Sequence, residues 1–174
     1  MKISQTEINA IRKTSFRPQI AVCLIHDKKV FMFFDEKYKL WQFPQGGIDN
    51  GESIISSIKR ELEEELGNNI SKNLSTEPIL LLFEDKISFP ERLWGSRELK
   101  LDDGMKMMMK GKYFFYIALE TNLNSFDLED SEFDGQKLLD SKEADIVIDQ
   151  IYQFNKQRIS RKAIAVLKEQ GLIS

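Results

Sequence analysis

Gly46-Gly47-Ile48-Asp49-Asn50-Gly51-Glu52-Ser53-Ile54-Ile55-Ser56-Ser57-Ile58-Lys59-Arg60-Glu61-Leu62-Glu63-Glu64-Glu65-Leu66-Gly67 is the stretch on which the reading of this chain turns. Its three early glycines, Gly46, Gly47 and Gly51, predict a flexible loop. Ser53 is placed to cap a helix running to Leu66, and Gly67 stands where helices commonly end. On a helical wheel Ile55, Ile58, Leu62 and Leu66 form one apolar stripe. Glu61, Glu64 and Glu65, spaced i, i+3, i+4, cluster beside it within roughly 100°. Like charges at this spacing repel by a few tenths of a kcal/mol even in water, and more where desolvated. Two readings follow: a solvated acidic face, or a site at which a divalent cation offsets the repulsion. Oxygen ligands suit magnesium or manganese, and the chain holds no His/Cys cluster that would favour zinc.

Working outward, Ser4-Gln5-Thr6-Glu7 reads as a capping box opening a short helix to about Lys13. Phe16-Arg17-Pro18 interrupts it, since the residue before a proline avoids helical geometry. Ile20 to Ile25 and Val30 to Phe34 read as strands joined by a turn at Asp27-Lys28-Lys29, and Trp41-Gln42-Phe43 alternates up to Pro44. Further strands are expected near Ile79–Phe83 and Lys112–Leu119, with a polar loop or excursion over Glu84–Lys110 between them. Two helices, near Lys142–Tyr152 and Lys156–Gln170, close the chain. The pattern predicts one α/β domain over residues 1–174 with a mixed sheet, residues 1–15 forming an N-terminal helical extension and residues 142–171 the C-terminal helices.

Composition sets bounds. The 174 residues suffice for a buried core, and 41% hydrophobic with 30% charged residues is ordinary for a soluble protein. Runs such as Ile79-Leu80-Leu81-Leu82-Phe83 are too short to span a bilayer. Met1 to Glu7 lacks the apolar stretch of a signal peptide, and the single Cys23 cannot form an internal disulfide, so a cytoplasmic setting without membrane association is expected. A net charge of -3 argues against non-specific coating of nucleic acid but leaves room for a small basic pocket.

From Gly46 to Gly67 the chain follows G-x5-E-x7-R-E-U-x-E-E-x-G, where U is a bulky aliphatic residue. This resembles the signature of the Nudix hydrolases, matched at Gly46, Glu52, Arg60, Glu61, Leu62, Glu64, Glu65 and Gly67. Asn68 departs from the pattern at a position that packs. The resemblance implies an α/β/α sandwich, a mixed sheet between helices. It also implies attack of a metal-activated water on phosphorus, with Mg2+ (or Mn2+) as cofactor. Glu61, Glu64 and Glu65 would be metal ligands or, for one of them, the base. Glu52 and Arg60 would pair to tie loop to helix, and Gly46 and Gly47 would let the backbone approach a polyphosphate.

Trp41-Gln42-Phe43-Pro44-Gln45-Gly46-Gly47-Ile48, Phe16-Arg17-Pro18-Gln19 and Glu132-Phe133-Asp134-Gly135 together resemble the dinucleoside polyphosphate hydrolases and bacterial RNA pyrophosphohydrolases. That subgroup implies a further metal contact or base at Glu132, which otherwise reads as a surface carboxylate in an acidic loop. Arg17, Gln45, Lys110 and Lys112 become candidates for substrate contact. Phe154 becomes a candidate for stacking a base, or else a core residue of the last helix. Departures at Phe33-Phe34-Asp35-Glu36, Met107-Met108-Met109 and Gln136-Lys137-Leu138 point away from RNA ends and leave the metal chemistry intact.

Other features read more plainly. His26 and Cys23 lie three apart on a strand and do not form a catalytic pair. Trp41 and Trp94 read as packing residues, Met105–Met109 as part of an irregular strand, and Arg158, Arg161 and Lys162 as a solvated helix face. No Walker-type loop is present. The substrate expected is a dinucleoside polyphosphate or the 5′-triphosphate end of RNA. The alternatives are another nucleoside diphosphate-linked compound, such as a nucleotide sugar, and a non-catalytic nucleotide-binding module. Oligomeric state is not legible.

Overall fold

A computed structural model describes residues 3–67, 70, 74 and 79–174. Met1, Lys2 and the departing Asn68 lie outside the described residues. Helix α1 (Gln5–Lys13) opens on the expected capping box: Ser4 Oγ accepts from Glu7 N at 3.2 Å, and Glu7 accepts from Ser4 N at 2.7 Å. Strand β1 (Phe16–His26) turns into β2 (Lys29–Asp35) through Asp27 and Lys28. Both take positive φ, 45° and 60°, the sense that matches the twist of a tight hairpin. Then come β3 (Leu40–Gln42), β4 (Gln45–Gly47), α2 (Ile54–Leu66), β5 (Leu80–Ser88), β6 (Glu98–Lys100), β7 (Lys106–Met108), β8 (Gly111–Glu120), β9 (Gly135–Leu139), α3 (Ser141–Asp149) and α4 (Phe154–Glu169).

Seven strands form a mixed sheet with the path β3-β2-β1-β8-β5, β9 adding to β2 and β4 to β1. The β1–β8 pair is parallel in register from Phe16↔Gly111 to Ile25↔Glu120, and the other pairs are antiparallel. Strand β6 pairs only with β7, as a separate hairpin. Side chains alternate across β1 and build two cores. Ala21, Cys23 and Ile25 join Ala144, Val147, Ile159, Ile164 and Leu167 of α3 and α4. Ile20, Val22 and Leu24 join Ile8 of α1 and Ile54, Ile58, Leu62 and Leu66 of α2. The result is the α/β/α sandwich expected.

Several local expectations need correcting. Gly46 and Gly47 are not in a flexible loop: they form β4, which pairs with β1 at Ile20↔Gly46 and Gln19↔Gly47. Ile55 is 41% exposed and Ile54 is buried in its place, so the inward face of α2 is rotated and takes in Glu61 as well as Leu62. The side-chain-free glycines of β4 leave the room that permits this. The polar stretch after Glu84 continues β5 to Ser88 and then forms the β6–β7 hairpin. Helix α3 stops at Asp149 and α4 starts at Phe154, whose side chain is 75% exposed and not core. Arg158 and Lys162 are not simply solvated, since both bind Asp85, and Arg161 bonds Asp149. No helix among the described residues is long and apolar enough to cross a membrane.

Candidate active site

Arg60 organises the loop that precedes α2. Its Nε and Nη2 donate to the two Glu52 oxygens at 2.9 and 2.7 Å, Nη2 also donates to Gly47 O at 2.8 Å, and Nη1 donates to Glu61 Oε1 at 2.7 Å. Glu52 further accepts from Asp49 N and Ser57 Oγ, each at 3.0 Å. The bidentate Arg60 bond, helped by these donors, holds the Glu52 carboxyl below its usual range and keeps Arg60 firmly charged. The ion pair expected between these two residues is therefore formed, and it fastens both β4 and the turn to the helix.

Two glutamates then lie against β4. A β-carbon on Gly46 would fall 1.7 Å from Glu61 Cδ, so the Glu61 carboxylate rests directly on the glycine. Burial raises the Glu61 carboxyl against the opposing bond from Arg60. Glu65 Oε2 accepts from Gln45 N at 2.8 Å. Burial pushes the Glu65 carboxyl up to about 8 against that bond, with the charges of Glu61 and Glu132 adding to the rise. Glu132 is exposed but is pinned beside Glu65, its N–H donating to Glu65 O at 2.8 Å. Glu64 is more open, with its side chain 57% exposed and Oε2 3.5 Å from Arg60 Nη1.

Across β4 the lining is basic. A β-carbon on Gly47 would fall 2.2 Å from Arg17 Nη2, so the guanidinium crosses that glycine. Lys112 stands opposite Arg17 in the β1–β8 register, its ammonium held below its usual range by burial and by Arg17 and Arg97. Lys156 of α4 donates to Gln42 Oε1 at 3.1 Å, which Gln45 Nε2 also meets at 3.0 Å. Burial lowers Lys156 to about 8, Lys112 pushing the same way and Glu65 and Asp35 opposing. Gln19 Oε1 is buried on this strand segment without a hydrogen-bond partner among the described residues.

Glu61, Glu64, Glu65, Glu52, Arg60, Gly46, Gly47, Arg17, Gln45, Lys112 and Glu132 thus converge. Lys110 does not join them: its ammonium sits 4.7 Å over the Trp94 ring. Phe154 stands at the exposed start of α4, two residues before Lys156. Sequence reading missed Lys156, which had no motif to single it out. It also missed Arg12, a fully buried guanidinium that donates to Ile48 O at 2.7 Å and Asn9 Oδ1 at 2.6 Å. Cys23 is buried in the core, and His26 Nδ1 faces Thr121 O at 2.9 Å.

The donor set fits a hard divalent cation: partly desolvated carboxylates, two of them raised by burial and by neighbouring carboxylates, and only oxygen ligands. As they stand, no three acidic, His or Cys side chains among the described residues are gathered tightly enough to hold an ion, because Glu61 turns to Arg60 and Glu65 to the Gln45 N–H.

A glutamate helix is thus laid on a diglycine strand at the edge of a mixed sheet held between helix layers. The NUDIX domain family matches residues 15–161, and the chain belongs to that family. The RNA pyrophosphohydrolase of Helicobacter pylori (strain ATCC 700392 / 26695) is 27% identical over 164 residues, 91% of this chain and 97% of that protein. The RNA pyrophosphohydrolase of a Nitratiruptor species is 26% identical over 167 residues, 92% and 99% of the two chains. A NUDIX hydrolase from Nitrosomonas europaea shares the fold with a TM-score of 0.60 at 14% identity, covering 91% of this chain and 92% of that one. The family is generally dependent on a divalent metal.

Proposed function

We propose that this hydrolase cuts a phosphoanhydride bond of a nucleoside 5′-polyphosphate, either the triphosphorylated 5′ end of RNA or a dinucleoside polyphosphate. The observation that carries the proposal is the division of the site by β4. Glutamates shielded from water lie against Gly46 and Gln45, and a basic wall of Arg17, Lys112 and Lys156 lies on the other side. A polyphosphate is the substrate that needs both. The two relatives named as RNA pyrophosphohydrolases, aligned over nearly their whole length, favour the RNA end.

Glu61, Glu64 and Glu65 would hold magnesium, with manganese as the alternative ion, and Glu132 would serve as a further ligand or as the base. The bound cation supplies neutralisation of phosphate charge and a more acidic water. The protein's own groups do the rest. Arg60 keeps Glu61 aimed at β4. The open carboxylates of Glu64 and Glu132 are free to take a proton from the attacking water. Gly46 and Gly47 leave the room in which the Glu61 carboxylate and the Arg17 guanidinium lie, Gln45 and the cations Arg17 and Lys112 orient the phosphates, and exposed Phe154 offers a face to the base.

The test is a substrate panel with magnesium: triphosphorylated RNA, diadenosine tetraphosphate and a nucleotide sugar, with products identified. Phosphate or pyrophosphate released from the RNA end, or mononucleotides formed from the dinucleotide, are expected. Turnover confined to the nucleotide sugar, giving mononucleotide and sugar phosphate, would reject the proposal.

A further inference from the structure

The β6–β7 hairpin is fastened to the same turn that carries the site. Leu99, Leu101 and Met109 are buried beneath it. Asn50 Nδ2 donates to Lys100 O and Leu101 O, each at 3.2 Å. Buried Arg12 reaches Asp102 at 3.4 Å while donating to Ile48 O. These ties hold Arg97, which begins the hairpin, on the rim of a cleft of about 550 Å3 that Arg17, Ile48 and Met109 also line.

Two guanidiniums, Arg17 and Arg97, line this cleft beside the buried Arg12. Arg17 and Lys112 face one another in register, and the charge of Arg97 reaches Lys112. Among the described residues none of the three is in an ion pair, whereas nearby Arg12, Arg60 and Lys106 each have an acidic partner. The two carboxylates that also line the cleft, Asp49 and Glu98, are drawn to Arg60 at 3.9 Å and to Lys106 at 2.7 Å, so the guanidiniums keep a positive field that an anion offsets.

We propose that Arg97, with Arg17, forms an anion subsite for the polyphosphate in this cleft, so that the hairpin adds to the grip on the phosphate chain. This rests on the reaction proposed above. The Arg97 side chain is exposed, so Arg97→Ala is expected to fold as wild type does.

The test is calorimetric titration of inorganic tripolyphosphate into the full chain in EDTA. Arg97→Ala is compared with wild type, and Arg92→Ala, an exposed arginine outside the cleft, controls for loss of one charge. Arg97→Ala is expected to weaken binding about tenfold, the usual scale for one charge-assisted phosphate contact, with Arg92→Ala within about twofold of wild type. Equal affinity for wild type and Arg97→Ala overturns the subsite. So does equal weakening by Arg92→Ala, or no binding to wild type. Binding needs no turnover, so the two claims separate. Arg97-dependent binding without hydrolysis of any nucleoside polyphosphate overturns the reaction alone. Hydrolysis with Arg97-independent binding overturns the subsite alone.

Discussion

Glu61 rests on Gly46 so closely that a β-carbon at position 46 would lie 1.7 Å from its Cδ and 1.8 Å from Oε2. The backbone of Gly46 is not in the left-handed region, so the requirement for glycine is one of space alone. The obstructing atoms are the far end of a flexible side chain, which yields more easily than backbone. Gly46→Ala is therefore expected to fold, with a thermal midpoint within a few degrees of wild type. Its kcat/KM should fall about 100-fold, because Glu61 must swing out of place. Thermal melts and steady-state kinetics on the one variant check both halves.

The Arg60–Glu52 pair should matter to stability as well as to the site. Its bonds are bidentate and partly buried, and Arg60 also engages Gly47 O. Arg60→Ala would leave Glu52 with only Asp49 N and Ser57 Oγ as donors. A loss of about 2–3 kcal/mol is expected by urea unfolding. Arg60→Lys should recover little of it, because an ammonium cannot reproduce the two-pronged geometry.

Asp85 carries the clearest pH dependence away from the site. Burial pushes its carboxyl up. Bonds from Arg158 at 3.0 and 3.1 Å and from Lys162 at 2.9 Å outweigh this and hold it down at about 2, against an ordinary 3.8. A depressed acid stabilises the fold above its unfolded value and loses that contribution as pH falls toward the folded one. The shift corresponds to about 2 kcal/mol, and the partly exposed partners reduce this to roughly 1 kcal/mol. Wild type should exceed Asp85→Asn by that amount at pH 7 in urea midpoints, and the difference should close between pH 4 and pH 2.

Magnesium should stabilise the folded chain through the same carboxylates. Glu61 and Glu65, both drawn out of water, repel each other, and Glu132 adds to the repulsion at Glu65, so a bound cation removes a cost as well as adding ligand bonds. At about 100 times its dissociation constant an ion binding only the folded state adds about 2.7 kcal/mol. Thermal melts should rise by several degrees for wild type and much less for Glu65→Gln.

Much of this was legible in the sequence because it is periodic or spaced. The capping box at Ser4 and the strands Ile20–Ile25 and Val30–Phe34 follow from local pattern, and the Glu52–Arg60 pairing was implied by the resemblance to the Nudix signature. What was not legible depends on partners distant in the chain. Strand β4 has two glycines among three residues, so no alternation marks it, and only its pairing with β1 reveals it. Ile54 and Ile55 are adjacent and equally apolar, and which one turns inward is decided by how α2 seats on β4. Lys156 and Arg12 look like ordinary helix cations, and their burial comes from packing against the opposite face of the sheet and against the site loop.

The central claim is that the glutamates of α2 run a metal-dependent hydrolysis of phosphoanhydrides. It is tested most directly by magnesium-dependent turnover of triphosphorylated RNA and diadenosine tetraphosphate by wild type, Glu64→Gln and Glu65→Gln. The predicted result is turnover by wild type that requires the metal and falls at least about 100-fold in each variant, the range seen when a group stabilising charge at the reacting centre is lost. Turnover within severalfold of wild type in both variants would contradict it.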